Sequence, residues 1–345
     1  MNFTTYHEAA AGQINQELKR VLGAWLERTS NTAGGKITKL LELYKASVSG
    51  GKVLRGTLVQ LGYELAGAEP GPEIIKAAAA YEILHASLLI HDDIIDKSPL
   101  RRERATLYKA LGEDHYAISQ AICLGDMGFF LATKLLAETA FDAERKSAAL
   151  DRLSDIIMDT VAGQLLDTEL AQPDADRQEG GVLLMQRLKT ASYSVAGPLA
   201  VGATLAGADE PMLAAINRYG HSAGLAYQIQ DDILGVFGDE AVTGKSAASD
   251  IEENKNTLLI SYALEHADRA GRELLAAHYG QGRLTPRQHQ QIKQVLTDSG
   301  ALNYARRRAL EYAREGRGII PRITSDPAGQ ALLEQFTDVV TSRQK

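Results

Sequence analysis

The chain has 345 residues, a formal net charge of −7, 45% apolar and 23% charged residues. That content supports a sizeable core, and the lack of any sustained basic block excludes a general nucleic-acid binder. A single cysteine, Cys123, excludes an internal disulfide and points to a reducing, cytoplasmic setting, and the start MNFTTYHEAAAG holds no apolar stretch of signal-peptide type.

Apolar residues recur at three- and four-residue intervals through ITKLLELYKASV (37–48), EIIKAAAAYEILHASLLIHDDIID (73–96), RLSDIIMDTVAGQLLDTEL (152–170) and LLISYALEHADRAGRELLAAHY (258–279). That period predicts helices, and no long alternating β-branched run predicts a strand. Turn residues cluster at SGGK (49–52), GAEPGPE (67–73), SPL (98–100), QPDADRQEGG (172–181) and FGDEAVTGKSAASD (237–250). Residues 190–208, TASYSVAGPLAVGATLAGA, carry no charge over a span long enough to cross a bilayer. Their Gly, Ser and Thr content and Pro198 favour a buried helix packed through small residues, so no transmembrane segment is expected. No linker or repeat divides the chain. The expectation is one all-α domain over 1–345, a helical bundle of about ten helices.

In LLIHDDIIDKSPLRRERAT (88–106), Asp92 and Asp96 fall at i and i+4 of a helix with Asp93 beside them. Two readings fit. The acids end a solvated helix and Arg101, Arg102 and Arg104 neutralise them, or they bind a divalent metal whose anionic ligand the arginines grip. A second pair, Asp231 and Asp232, lies in YQIQDDILGVFGD (227–239), one turn after Gln228 and ahead of Lys245, Asp250 and Lys255. Carboxylates inside apolar helices have to be neutralised, paired or metal-bound. Two such pairs facing each other across a bundle core would hold several Mg²⁺ ions. TGKS (243–246) is not a P-loop, because Asp239 stands where the first glycine is required and no strand precedes it. GGKVLRG (50–56) opens a helix with Lys52 and Arg55 one turn apart, Lys189 and Thr190 head the small-residue helix, and His85 lies two turns before Asp92.

Taken together, these motifs resemble the trans-isoprenyl diphosphate synthases, the polyprenyl synthetase family, from about residue 45 to the C-terminus. DDIID (92–96) with RR (101–102) is similar to the family's first aspartate-rich motif, and YQIQDDILGVFGD to its second. GGKVLR, YEILHASLLIHDD, GQLLD (163–167), KT (189–190) and TGK…D…K (243–255) stand in the family's order. The resemblance implies an all-α isoprenoid-synthase bundle with a central active-site cavity, a homodimer, and head-to-tail joining of isopentenyl diphosphate to an allylic diphosphate. It implies that Asp92, Asp96 and Asp231, supported by Asp93 and Asp232, hold Mg²⁺, three ions per site. Arg101, Lys189, Thr190, Gln228, Lys245 and Lys255 would contact the allylic diphosphate. Lys52, Arg55, His85 and Arg102 would bind isopentenyl diphosphate.

Three positions depart from the family pattern: Val53 for an arginine, Gly56 for a proline, and Gly235 for the second motif's third aspartate. In the family an aromatic four or five positions before the first aspartate shortens the product. Here those positions are Leu88 and Ser87. The chain should then grow past Leu88, Ser87, Leu84 and Tyr81 to geranylgeranyl (C20) length, with Tyr81, or Phe129 and Phe130, as the floor. Ser87→Phe is expected to shorten it. The alternatives are a farnesyl or longer-chain synthase, a class I terpene cyclase, or a partner subunit of a heteromeric synthase. A cyclase would lack the Lys52, Arg55, His85 and Arg102 set, and a partner subunit would have lost part of an aspartate motif.

Overall fold

A computed structural model describes residues 2–172, 175, 177–238 and 249–341. The chain is almost wholly helical, as its periodicity predicts. In order come α1 (Phe3–Thr32), α2 (Thr38–Val48), α3 (Leu54–Leu65), α4 (Pro72–Ile95), α5 (Leu107–Leu111), α6 (His115–Ala137), α7 (Ala143–Leu170) and α8 (Glu179–Gln186). There follow α9 (Gly197–Ala206), α10 (Glu210–Phe237), α11 (Ser249–Glu252), α12 (Leu258–His266), α13 (Arg269–His278), α14 (Pro286–Asp298), α15 (Ala301–Ile319) and α16 (Pro327–Thr341). The described helices outnumber the ten expected because the C-terminal third breaks into short pieces. Thr257, Asp268 and Thr285 each cap a new start there, the last in a reciprocal capping box with Gln288. Packing divides the chain into two compact units, residues 1–153 with 198–213, and residues 154–197 with 214–345.

In the first unit α4 is the central helix, packed by α1, α2, α3 and α6. It is apolar on every side, which suits a helix enclosed by others. Its length and hydropathy would also suit a membrane span, but 78% of its most apolar window is buried inside the protein. Pro72 at its first turn is pre-set for helix. α3 and α9 touch backbone to backbone: a Cβ on Gly202 would lie 1.9 Å from Val59 O, and one on Gly62 2.0 Å from Leu199 O. The small-residue segment is therefore close-packed, as its composition predicts.

The structure differs from the sequence reading in two places. Arg187–Ala196, between α8 and α9, winds as a π-helix in which the Gly197 N–H donates five residues back to Ser192 O. Pro198 has no N–H and its ring obstructs the preceding turn, which accounts for the wider winding at that point. Two-residue strands, Leu100–Arg101 and Arg104–Ala105, also form an antiparallel hairpin after α4. Its central residues Arg102 and Glu103 are both left-handed, at φ 54° and 62°, as a two-residue type I′ turn demands.

In the second unit the C-terminal half of α10 carries Ile229, Ile233 and Val236 into a core shared with Leu258, Leu259, Leu296 and Ala305. That anchoring fixes the register of the aspartates between them.

Candidate active site

The first aspartate cluster sits where α4 ends. Asp96 is the C-cap, its N–H donating to Asp92 O, and the hairpin returns Arg101 to the two preceding acids. Arg101 Nη2 lies 2.6 Å from Asp93 Oδ1 and 3.5 Å from Asp92 Oδ2, and Nε donates to Asp93 at 2.8 Å. Asp93 is buried, whereas Asp92 and Asp96 are half-buried. The inward acid therefore anchors the arginine, and the outward pair lies at the accessible edge. About two turns up α4 from Asp92, Arg55 Nη1 meets His85 Nε2 at 3.1 Å. Burial, reinforced by Arg55, Arg102 and Arg101, holds the His85 pKa well below the usual imidazole value. A neutral ring can accept the Arg55 hydrogen bond, and an imidazolium cannot. Lys52 precedes α3 rather than lying on it, because the helix opens only at Leu54, after a left-handed Val53. Lys52 and Arg55 therefore do not share one helix face, contrary to what their spacing predicts, because only Arg55 lies on α3.

The second cluster is built by different partners. Asp232 is buried, and its two oxygens accept from Gln186 Nε2 and Gln228 Nε2, each at 2.7 Å. Burial, then Asp250, pushes its pKa well above the ordinary carboxylate value. Gln228 thus serves Asp232 directly. Asp231, on the next position of α10, is exposed. Lys189 pairs with Asp167 at 2.7 Å, and Asn256 Nδ2 donates to Asp167 Oδ1 at 3.1 Å. Gly163 permits this, since a Cβ there would lie 2.2 Å from Lys189 N. Thr190 follows on the π-helix, half-buried. Lys255 meets Asp250 at 2.5 Å, and Tyr279 Oη donates to the Lys255 carbonyl. Lys245 lies outside the described residues.

Sequence reasoning passed over Glu82, Gln186 and Asn256, and left Asp250 without a role. Gly235 is the signal for the last. A Cβ at 235 would lie 1.8 Å from Asp250 Oδ2, so Asp250, arriving with α11, fills the space a third aspartate in the helix would need.

The chain-length candidates lie in the first unit. Tyr81, Leu84 and Ser87 are buried and Leu88 is half-buried. Ser87 does not face open space: its Oγ is 3.0 Å from Tyr44 Oη of α2, and a Cβ on Gly128 of α6 would lie 2.0 Å from both oxygens. A phenyl ring at 87 has no room while Tyr44 stays. Phe129 packs edge-on against His91 at 5.3 Å. Phe130 is 76% exposed, which corrects its assignment to a tunnel floor, because its side of α6 faces out of the chain.

The sequence profile of polyprenyl synthetases matches residues 37–298. The chain belongs to the polyprenyl synthetase family. It is a trans-prenyltransferase of the isoprenyl diphosphate synthase class. A geranylfarnesyl diphosphate synthase of Aeropyrum pernix is 34% identical over 310 residues, covering 88% of this chain and 93% of that protein. A (2E,6E)-farnesyl diphosphate synthase of Mycobacterium bovis is 30% identical over 298 residues, covering 85% and 80%. The crystal structure of a geranylgeranyl pyrophosphate synthase of Corynebacterium glutamicum, complexed with isoprenyl diphosphate and magnesium, superposes with a TM-score of 0.91 at 29% identity, covering 99% of this chain and all of that one. The prenyltransferase class is thus common ground, while the products named for these relatives differ in length.

Proposed function

We propose that the enzyme condenses isopentenyl diphosphate head to tail with an allylic diphosphate, in a Mg²⁺-dependent reaction that ends at C20, as a cytoplasmic homodimer acting through one catalytic domain. The observation that carries this reading is the basic set Arg55, His85 and Arg102 close to Asp92, Asp93 and Arg101. An enzyme that only ionises one allylic diphosphate has no use for a second anion pocket.

Among the described residues no three His, Cys, Asp or Glu side chains converge closely enough to chelate a metal by themselves. That fits Mg²⁺, which takes one or two carboxylates and completes its shell with water and phosphate oxygens. Asp92, Asp96 and Asp231 would hold it, with Asp93, Asp232 and Asp250 behind them. When bound, it neutralises charge building on the departing diphosphate.

The chain's own side chains do the rest. Lys189, Lys255 and Arg101 add positive charge at the leaving group, where preorganised electrostatics supplies most of the rate. Asp167, Asp250 and Asp93 hold those cations in place until the diphosphate arrives. Arg55, Arg102 and Lys52 grip the second diphosphate so that its double bond meets the allylic cation. Neutral His85 orients Arg55. Buried Leu84 and Tyr81 keep water from the cation. No nucleophile is needed, since the departing diphosphate can take the final proton. Tyr116, Ile122 and Phe130 stand exposed on one side of α6, and this apolar surface supports the homodimer.

Purified protein incubated with isopentenyl diphosphate, Mg²⁺ and C5, C10 or C15 allylic diphosphates, read by mass spectrometry, tests the proposal. A ladder ending at C20 is expected, with no product in EDTA. An end at another length overturns only the C20 assignment. Hydrocarbon or alcohol formed without isopentenyl diphosphate would mean a cyclase, and no turnover would mean a missing partner subunit.

A further inference from the structure

We propose that Glu82 is a positioning residue: its buried carboxylate ties the start of α3 to α4 and holds the Arg55 and Arg102 guanidiniums in the arrangement that receives isopentenyl diphosphate. The inference rests on the reading of Arg55, His85 and Arg102 as that pocket.

Glu82 lies one turn before His85 on α4 and is 7% exposed. A carboxylate so enclosed needs donors or counter-charges. It has both. The Gly56 N–H donates to Oε1 at 2.7 Å, the Arg55 amide supports the same group, and Arg55 and Arg102 are the cations that act on it. The backbone explains the demand. α3 opens at Val53, which is left-handed and offers no side-chain cap, so the amides of the first turn are orphan donors. Glu82 accepts them from another helix.

Gly56 brings the two helices together. A Cβ there would lie 3.0 Å from Ala78 O and 3.2 Å from Glu82 Cγ, and a proline would have no N–H to donate. The Gly56 departure and Glu82 therefore form one device. Arg102 lays its guanidinium close over Gly51, where a Cβ would be 3.0 Å from Nη1 and 3.1 Å from Nη2. Its backbone, at φ 54°, is set by the hairpin turn. Asp92 and Asp93 pair with Arg101, and Asp93 also acts on Arg102, while Glu82 lies where both Arg55 and Arg102 act on it. Without it the two like charges would repel one another and lose their common anchor.

The sign of one measurement decides between this role and a simple charge effect. A carboxylate beside a diphosphate site opposes the ligand's charge, so by charge alone neutralising Glu82 should lower KM for isopentenyl diphosphate. A positioning role predicts the reverse. Glu82→Gln keeps the size and an acceptor for the Gly56 N–H, and is expected to raise KM for isopentenyl diphosphate roughly tenfold, with KM for the allylic substrate moving less than about twofold. Glu82→Asp keeps the charge but withdraws it by one methylene. It reads the same KM ratio with the charge retained, and a rise of about threefold is expected. A drop in Tm with the ratio unchanged in the variant that folds, or a lower KM for isopentenyl diphosphate, overturns the proposal. A wild-type protein that makes no product dependent on isopentenyl diphosphate would instead overturn the pocket on which it rests.

Discussion

Asp232 is placed where its charge opposes stability. It is buried beside Asp250 and Asp231, and its pKa is pushed up by desolvation and by those acids. Two glutamine amides supply its hydrogen bonds, which satisfy its oxygens without cancelling its charge. An amide in its place would present one N–H₂ to a donor. Gln186 Oε1, however, is buried with no hydrogen-bond partner among the described residues, so turning that amide over supplies an acceptor. Asp232→Asn should then relieve like-charge repulsion at the cost of one rotamer change. Calorimetry of the metal-free protein is expected to show Tm raised by about 2–4 °C, while kcat falls at least tenfold as support for Asp231 is lost. A lower Tm would mean that the two amides already stabilise the carboxylate as an ion.

At the scale of elements, the wall beside α4 is made from three other helices, α1, α2 and α6. Tyr44 of α2 is fully buried, packs edge-on against Trp25 at 5.4 Å, and reaches Ser87 over Gly128. The space an aromatic at 87 would claim is already filled by a ring from elsewhere in the sequence. Tyr44→Ala should empty it, at a loss of about 3–5 kcal/mol of stability, and shift products toward longer chains in the mass-spectrometric ladder. Adding Ser87→Phe to Tyr44→Ala should refill the space and restore the parent length. An unchanged ladder in both would remove this wall from chain-length control. Such a contact was not legible in the sequence, because 44, 87 and 128 share no period or motif. The hairpin was equally hidden: Arg-Glu is a poor turn pair, and only the structure shows both residues left-handed. What was legible followed from local rules. Apolar residues at three- and four-residue intervals marked the long helices, glycine and proline marked their ends, and paired aspartates within apolar helices, Asp92 with Asp96 and Asp231 with Asp232, marked the acidic clusters. The identities of their partners, Gln186, Asp167, Glu82 and Asp250, depended on tertiary placement and so could not be read.

For the molecule as a whole, acid should be felt through histidines that fold neutral. Of its eight, His7, His85 and His221 have pKa values pushed down, each first by burial. A histidine freed by unfolding takes up a proton near pH 6.5, whereas a depressed one in the fold does not. Below that pH the unfolded state binds more protons, so each such group withdraws stability as pH falls toward its folded pKa. Buried acids with raised values, Glu64, Glu82 and Asp232, act in the opposite sense, because the folded chain protonates them first. The net curve mixes both, but a single substitution isolates one contribution. His85 has the deepest burial of the three and three arginines acting on it, so its window opens at about pH 6.5 and extends well below. His85→Gln keeps an acceptor for Arg55 and cannot titrate. Urea unfolding from pH 7 to 5 should show the variant losing stability less steeply than the parent, by up to about 1.4 kcal/mol per pH unit. Parallel curves would mean that His85 titrates alike in the folded and unfolded chains, and its lowered pKa would then have to be abandoned.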